Sequence, residues 1–199
     1  MEDLNPTSLR LSVHLSDSAS RCSGFFGTLP DSSRHPTAFM SSPGGERNDR
    51  ELYLEDLHVG QTFHSTKSHH VTQGEALAFA GQFDPQPFHL DEKAAAESFF
   101  GRLALSGWHT ASVTMRLFVE SDLRLAGGLI GVGVDSLIWP RPSFPDDSFR
   151  LEIEVVHLRP LKSRPDQGIV KLRNRTLNQR DEVAQEVVVN VLARRRPTS

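Results

Sequence analysis

The stretch Trp108-His109-Thr110-Ala111-Ser112-Val113-Thr114-Met115-Arg116-Leu117-Phe118-Val119 decides the fold class. It holds neither proline nor glycine. Ala111, Met115, Phe118 and Val119 recur at helical spacing, while Val113 and Leu117 fall away from that stripe. A helix on a protein surface keeps one face polar. One that is apolar on more than one face belongs inside the fold.

Downstream of this helix the period changes from helical to alternating. Leu129 to Trp139 is apolar, punctuated by glycine, and ends at Pro140 and Pro142. Phe149, Leu151, Ile153 and Val155 alternate with Arg150, Glu152 and Glu154, the pattern of a half-buried antiparallel strand. The phase slips to Val156 and Leu158, which predicts a bulge between Val155 and Val156. Val170, Leu172 and Thr176 alternate with Lys171, Arg173 and Arg175. After a turn at Asn178-Gln179-Arg180-Asp181, a last strand runs from Val183 to Ala193. These strands are expected in meander order. A strongly curved antiparallel sheet wrapped around one long helix accounts for such a helix, so the class is α+β.

Upstream, Thr62 to Val71 is expected as one strand. Thr72-Gln73-Gly74-Glu75 forms a capping box and starts a helix bearing Ala76, Phe79 and Ala80 on one face. Pro85 and Pro87 stop that helix near Phe83. Asp91 is the expected N-cap of a short helix from Glu92 to Glu97. Phe99 to Gly107 is a loop of unusually apolar character.

Residues 1–50 differ from the rest, with ten serines, four prolines, four glycines and no lysine. Such a segment buries too little to offset the entropy of ordering it, and is expected as a disordered extension before a single domain over residues 51–196. It lacks the basic start and apolar stretch of a secretory signal, and Glu2, Asp3, Asp17 and Asp31 disfavour a transit peptide. Met40 offers an alternative start, which would make residues 1–39 dispensable.

The chain has 199 residues and a net charge of −3, with no basic stripe of the kind nucleic-acid binders show; Arg194-Arg195-Arg196 is its one dense basic cluster. No apolar run approaches the roughly 18 residues of a membrane helix. The single cysteine, Cys22, excludes an internal disulfide and a cysteine-rich zinc site, and fits a cytoplasmic setting.

Chemistry concentrates between the two longer helices. Asp84 and His89 flank a stiff Pro-X-Pro element, and a carboxylate and an imidazole within reach of one water can move its protons near neutral pH. By spacing alone, a turn-capping aspartate beside a packed histidine explains the pair as well. Gly107 adds the second half. Its N–H lies at the start of the buried helix, where donors and dipole both favour a developing negative charge. Ser106 is not in a Gly-X-Ser-X-Gly elbow, and His64, His69 and His70 lack a matching carboxylate pattern. Serine hydrolysis and a metal site are therefore disfavoured.

Phe83-Asp84-Pro85-Gln86-Pro87-Phe88-His89-Leu90-Asp91, followed by Phe100-Gly101-Arg102-Leu103 and Ser106-Gly107, resembles the hydratase motif of the MaoC-like dehydratases and (R)-specific enoyl-CoA hydratases. That motif runs roughly Asp-X-Asn-Pro-X-His-X-Asp, with a Gly-Arg-Pro-like turn before a glycine that starts the central helix. The resemblance covers about residues 53–194. It implies a hot-dog fold and an acyl-thioester hydro-lyase working on coenzyme A or acyl carrier protein substrates. It further implies a homodimer, with no cofactor and no metal.

Asp84 and His89 would then activate water for addition across a 2-enoyl thioester, and Gly107 would hold its carbonyl. Ser106, Trp108 and Arg102 are the accompanying substrate-binding candidates. Arg102, Arg141 and Arg164 offer charge to coenzyme A phosphates, although a solvated role suits each better. Gln86 stands where asparagine is usual, and Ser106 where many members have histidine. Trp108 either narrows an acyl tunnel or packs in the core, with core packing preferred. A hot-dog thioesterase and a non-catalytic acyl-thioester-binding dimer module are the competing functions.

Overall fold

The computed structural model of the protein describes residues 51–197, so the readings made for residues 1–50, including Cys22 and the start at Met40, lie outside the described residues. After one turn of 3-10 helix at Leu54–Asp56 come β1 (Thr62–His64), β2 (His69–His70), α1 (Gln73–Phe83), α2 (Pro87–Leu90), α3 (Glu92–Ala96) and α4 (Gly107–Val119). Four long strands follow: β3 (Ile130–Ile138), β4 (Ser148–Pro160), β5 (Gln167–Leu177) and β6 (Val183–Arg194). The sheet is antiparallel, in the order β1-β4-β5-β6-β3, with β2 also on β4. It wraps α4 in the hot-dog arrangement.

The core follows from the alternation in β4. Phe149, Leu151, Ile153 and Val155 are all buried and close on Val113, Leu117 and Phe118 of α4. On the other face, Glu152 accepts from Arg150 and Arg175, and Glu154 from Arg173. Such half-exposed pairs each contribute little, but they keep that face wet and fix the register. The bulge falls where the phase slip places it, between Val155 and His157.

Four expectations need correction. The meander holds only for β4, β5 and β6, because β3 pairs with β6 at the far edge of the sheet. The chain must therefore cross from β3 to β4. Pro140, Pro142 and Pro145 stiffen that crossing, where a tight hairpin turn would have made the two strands neighbours. The single strand expected over Thr62–Val71 is interrupted. His64 faces Glu152 while His69 faces Phe149, so the chain loops out between β1 and β2.

The third correction concerns α4. His109, Thr110, Val113, Thr114, Leu117 and Phe118 are buried, yet Trp108, Met115 and Val119 are exposed. Trp108 and Met115 face an open groove of about 430 Å³ between the helix and β3 and β6, while Val119 lines a separate cleft with Leu123 and Leu125. The short α2, where only a stiff loop was expected, forms because Pro87 sits at the first helical position, where no N–H is needed.

Candidate active site

The capping box at Thr72 is complete. The Thr72 hydroxyl accepts from the Glu75 N–H, and the Glu75 carboxylate accepts from the Thr72 N–H at 2.8 Å. Such a cap is worth about 1 kcal/mol and sets where α1 begins, hence where it ends. It ends on Asp84, whose N–H still reaches Ala80 O at 2.9 Å. Two prolines then turn the chain, and α2 carries His89 back beneath Asp84.

His89 is buried, and its Nδ1 lies 2.8 Å from the carbonyl oxygen of Ala104. A carbonyl only accepts, so Nδ1 bears a proton and, in the neutral ring, Nε2 carries the free lone pair. Nε2 points at Asp84 Oδ2, 3.4 Å away. Phe88 stands edge-on to the imidazole, with ring centroids 4.6 Å apart, and completes its orientation.

Asp84 is gripped at both oxygens. The Ser106 hydroxyl donates to Oδ2 at 2.7 Å, and the Gln86 amide donates to Oδ1 at 2.7 Å. Burial pushes the carboxyl up, but the hydrogen bonds from Ser106 and Gln86, with the attraction of His89 whenever that ring is protonated, outweigh it and hold Asp84 below its ordinary value. Two acceptor sites of the carboxylate remain for a water.

The apolar loop is buried from Leu103 to Ser106 and delivers Ser106 to the N-cap of α4. There its oxygen also accepts from the Trp108 N–H at 3.2 Å. Gly107 follows at the first helical position. Its N–H has no partner within the helix, and no acceptor among the described residues takes it. A β-carbon at this position would stand 2.8 Å from the Trp139 ring, so only glycine fits while the indole holds its place.

Asp84, Gln86, Phe88, His89, Gly107, Trp108, Thr110 and the crossing segment Trp139–Ser143 line one cleft of about 610 Å³. Four expected residues, Asp84, His89, Gly107 and Trp108, thus share it, with Ser106 behind Asp84. Trp108 is not in the core: it is 60% exposed and stands edge-to-face with Trp139 at 5.7 Å. Arg102 lies elsewhere, its guanidinium 3.7 Å above the Phe144 ring in a separate surface cleft with Gln73, Glu92 and Asp146. Arg141 does reach the active cleft and pairs with Glu182 at 2.6 Å.

Sequence reasoning missed Trp139, Ser143, Phe100 and Thr110, because the first two arrive on the crossing segment. It also passed over His109, buried and stacked on Phe79 at 4.6 Å. Burial lowers the His109 pKa, against the raising effect of Glu75, and keeps that imidazole neutral. The histidines set aside as metal ligands approach carboxylates singly: His69 lies 3.8 Å from Glu75, and His70 lies 3.7 Å from Asp146.

Comparison with known proteins identifies the family. The family model described as MaoC like domain matches residues 56–176. The crystal structure of a MaoC-like dehydratase from Rhodospirillum rubrum is 54% identical, covers 74% of this chain and 99% of that chain, and superposes with a TM-score of 0.70. The (R)-hydratase from A. caviae involved in PHA biosynthesis is 30% identical over 72% of this chain and 99% of that chain, with a TM-score of 0.56. The uncharacterized protein YdeM of Bacillus subtilis strain 168 is 30% identical over 144 residues, 72% of this chain and 100% of its own length. The chain belongs to the MaoC-like dehydratase domain family.

Proposed function

We propose that the protein is a hydro-lyase that adds water across a 2-enoyl thioester and, in reverse, dehydrates a 3-hydroxyacyl thioester. One observation carries this: Asp84 Oδ2 and His89 Nε2 sit 3.4 Å apart in a cleft that Gly107, at the head of α4, also lines. The likeness to the A. caviae (R)-hydratase supports it.

With Nδ1–H donating to Ala104 O, neutral His89 offers the Nε2 lone pair to a water that Asp84 also holds. As the water oxygen bonds to C3, the dyad takes one of its protons. The dyad then returns that proton to C2, which completes the addition and regenerates ionised Asp84 and neutral His89. Negative charge gathering on the thioester oxygen meets the Gly107 N–H and the positive end of the α4 dipole, the type of donor that stabilises an oxyanion.

Hydration of crotonyl-coenzyme A, followed as loss of enoyl absorbance, tests the reading. Asp84→Asn and His89→Ala should each lower kcat/KM by about 10²–10⁴-fold, the usual range for a positioned acid or base. Full activity in both variants, or release of free thiol by the wild type, rejects the hydro-lyase; the second result points to a thioesterase.

The carrier on this reading is coenzyme A or acyl carrier protein, and the setting is cytoplasmic. The working unit is a homodimer formed along β3. That strand pairs with β6 on one side only among the described residues, and it exposes Ile130, Val132, Val134 and Ile138. An open apolar edge of this kind recruits another strand. Light scattering should find a dimer, and Val132→Lys, which puts a charge on the edge, should shift it to monomer. A monomeric wild type defeats this part.

A further inference from the structure

We infer that Trp139 is a specificity-determining residue that restricts this enzyme to short acyl chains; the inference rests on the hydro-lyase reading. Two cavities meet at Trp108, which Trp139 contacts. The reaction cleft contains Trp139 and Trp108, and the apolar groove beside it contains Trp108, Leu137 and Gln185. Trp108 borders both, and the edge-to-face contact of the two indoles stands at the boundary.

The Trp139 indole is fixed. Its Nε1–H donates to Gln185 Oε1 at 2.9 Å. Gln185 is buried, and its amide donates to Thr114 Oγ1 at 2.8 Å. Thr114 Oγ1 also lies 2.6 Å from Thr176 Oγ1. The ring is therefore tied to α4, β5 and β6 together, through polar groups that would lose partners if it swung away.

Its other side touches the head of α4. A β-carbon at Gly107 would meet Trp139 Cε2, Cζ2 and Cδ2 at 2.8–3.1 Å. An acyl group whose carbonyl is held at the Gly107 N–H thus finds the six-membered ring directly beside it. A crotonyl group needs no room past that ring. A longer tail that extends past the ring reaches the apolar groove of about 430 Å³, which is lined by Gln185, the residue that holds the indole.

The test compares kcat/KM for crotonyl-coenzyme A and 2-octenoyl-coenzyme A in the full-length wild type and three variants. Wild type should favour crotonyl by at least about tenfold, since each methylene refused by a pocket is worth about that much. Trp139→Ala opens the wall and should move the octenoyl-to-crotonyl ratio upward by about tenfold or more, chiefly through a lower KM for octenoyl. Gln185→Leu frees the indole, and Trp139→Phe removes its N–H and part of its bulk. Both should move the ratio in the same direction by less.

A purely structural role would depress both substrates together and leave the ratio in place. Equal use of the two substrates by wild type overturns the gate. So does an unchanged ratio in the variants, and Trp139→Phe and Gln185→Leu decide if Trp139→Ala does not fold. Wild type that hydrates neither substrate overturns the hydro-lyase reading itself, and with it the gate.

Discussion

The two sides of the Trp108–Trp139 pair are built from opposite materials. In the reaction cleft the polar side chains constrain one another: Ser106 and Gln86 hold Asp84, and Ala104 O holds His89. In the groove the walls are almost wholly apolar, Ala111, Met115, Phe118, Val187 and Val189 among them. The first surface fixes atoms to within a hydrogen bond, as moving protons at stated atoms requires. The second fixes only a volume. Chemistry and substrate choice are thus separable properties of this fold, joined at one indole.

The largest effect should come from breaking the polar side entirely. If Asp84 and His89 hold a single water between them, the double variant Asp84→Asn/His89→Ala should be little worse than the weaker single variant, because either loss already disables the unit. Multiplying losses in the double variant would show that the two act separately. Steady-state kinetics with crotonyl-coenzyme A makes the comparison.

A smaller loss is expected where the two sides touch. Gly107→Ala keeps the backbone N–H but forces Trp139 to move, since the new β-carbon would stand 2.8 Å from its ring. A misplacement of that order should lower kcat/KM by about tenfold to hundredfold. In Gly107→Ala/Trp139→Ala the collision is absent, so part of the loss should return, with a coupling of about 0.5–3 kcal/mol as for residues in contact. Strict additivity would mean that the glycine serves something other than the indole.

The same division explains what the sequence discloses. Asp84 and His89 are near neighbours in the chain, and the Pro-X-Pro between them restricts the backbone locally, so their meeting is written in the local sequence. Gly107 is legible because a helix start has its own signals, as Thr72 and Asp91 also do. Trp139 and Ser143 were invisible for the opposite reason. They enter the cleft only because β3 lies at the far edge and its connection must cross the end of the sheet. Alternation identifies a strand's faces, yet says nothing about which neighbour it joins. Arg102 shows the limit of a motif, since its position beside the loop fits a phosphate and its side chain stacks on Phe144 instead.

The smallest effect, and the sharpest probe of the polar side, concerns Ser106. Asp84 is pulled upward by burial and downward by Ser106, Gln86 and His89, with a net position below the ordinary carboxylate value. Removing the Ser106 hydroxyl takes away the largest downward contribution, so the Asp84 pKa must rise. Asp84 has to be ionised to hold the water, so the acidic limb of kcat/KM should move to higher pH, with the loss confined to acid pH and little change at neutrality. The stability sign agrees. A lowered carboxyl pKa gives stability that is present above the unfolded value and lost as pH falls through the folded one, and the variant shrinks that contribution. Ser106 also caps α4, which gives Ser106→Ala a second effect of about 1 kcal/mol on folding at any pH. Glycine is nearly as good as serine at an N-cap but has no hydroxyl, so Ser106→Gly should shift the pH limb as far as alanine does while costing only a few tenths of a kcal/mol. A limb that stays put in both variants would mean that Asp84 is held down by something other than Ser106, and would leave the hydroxyl only its part in the cap.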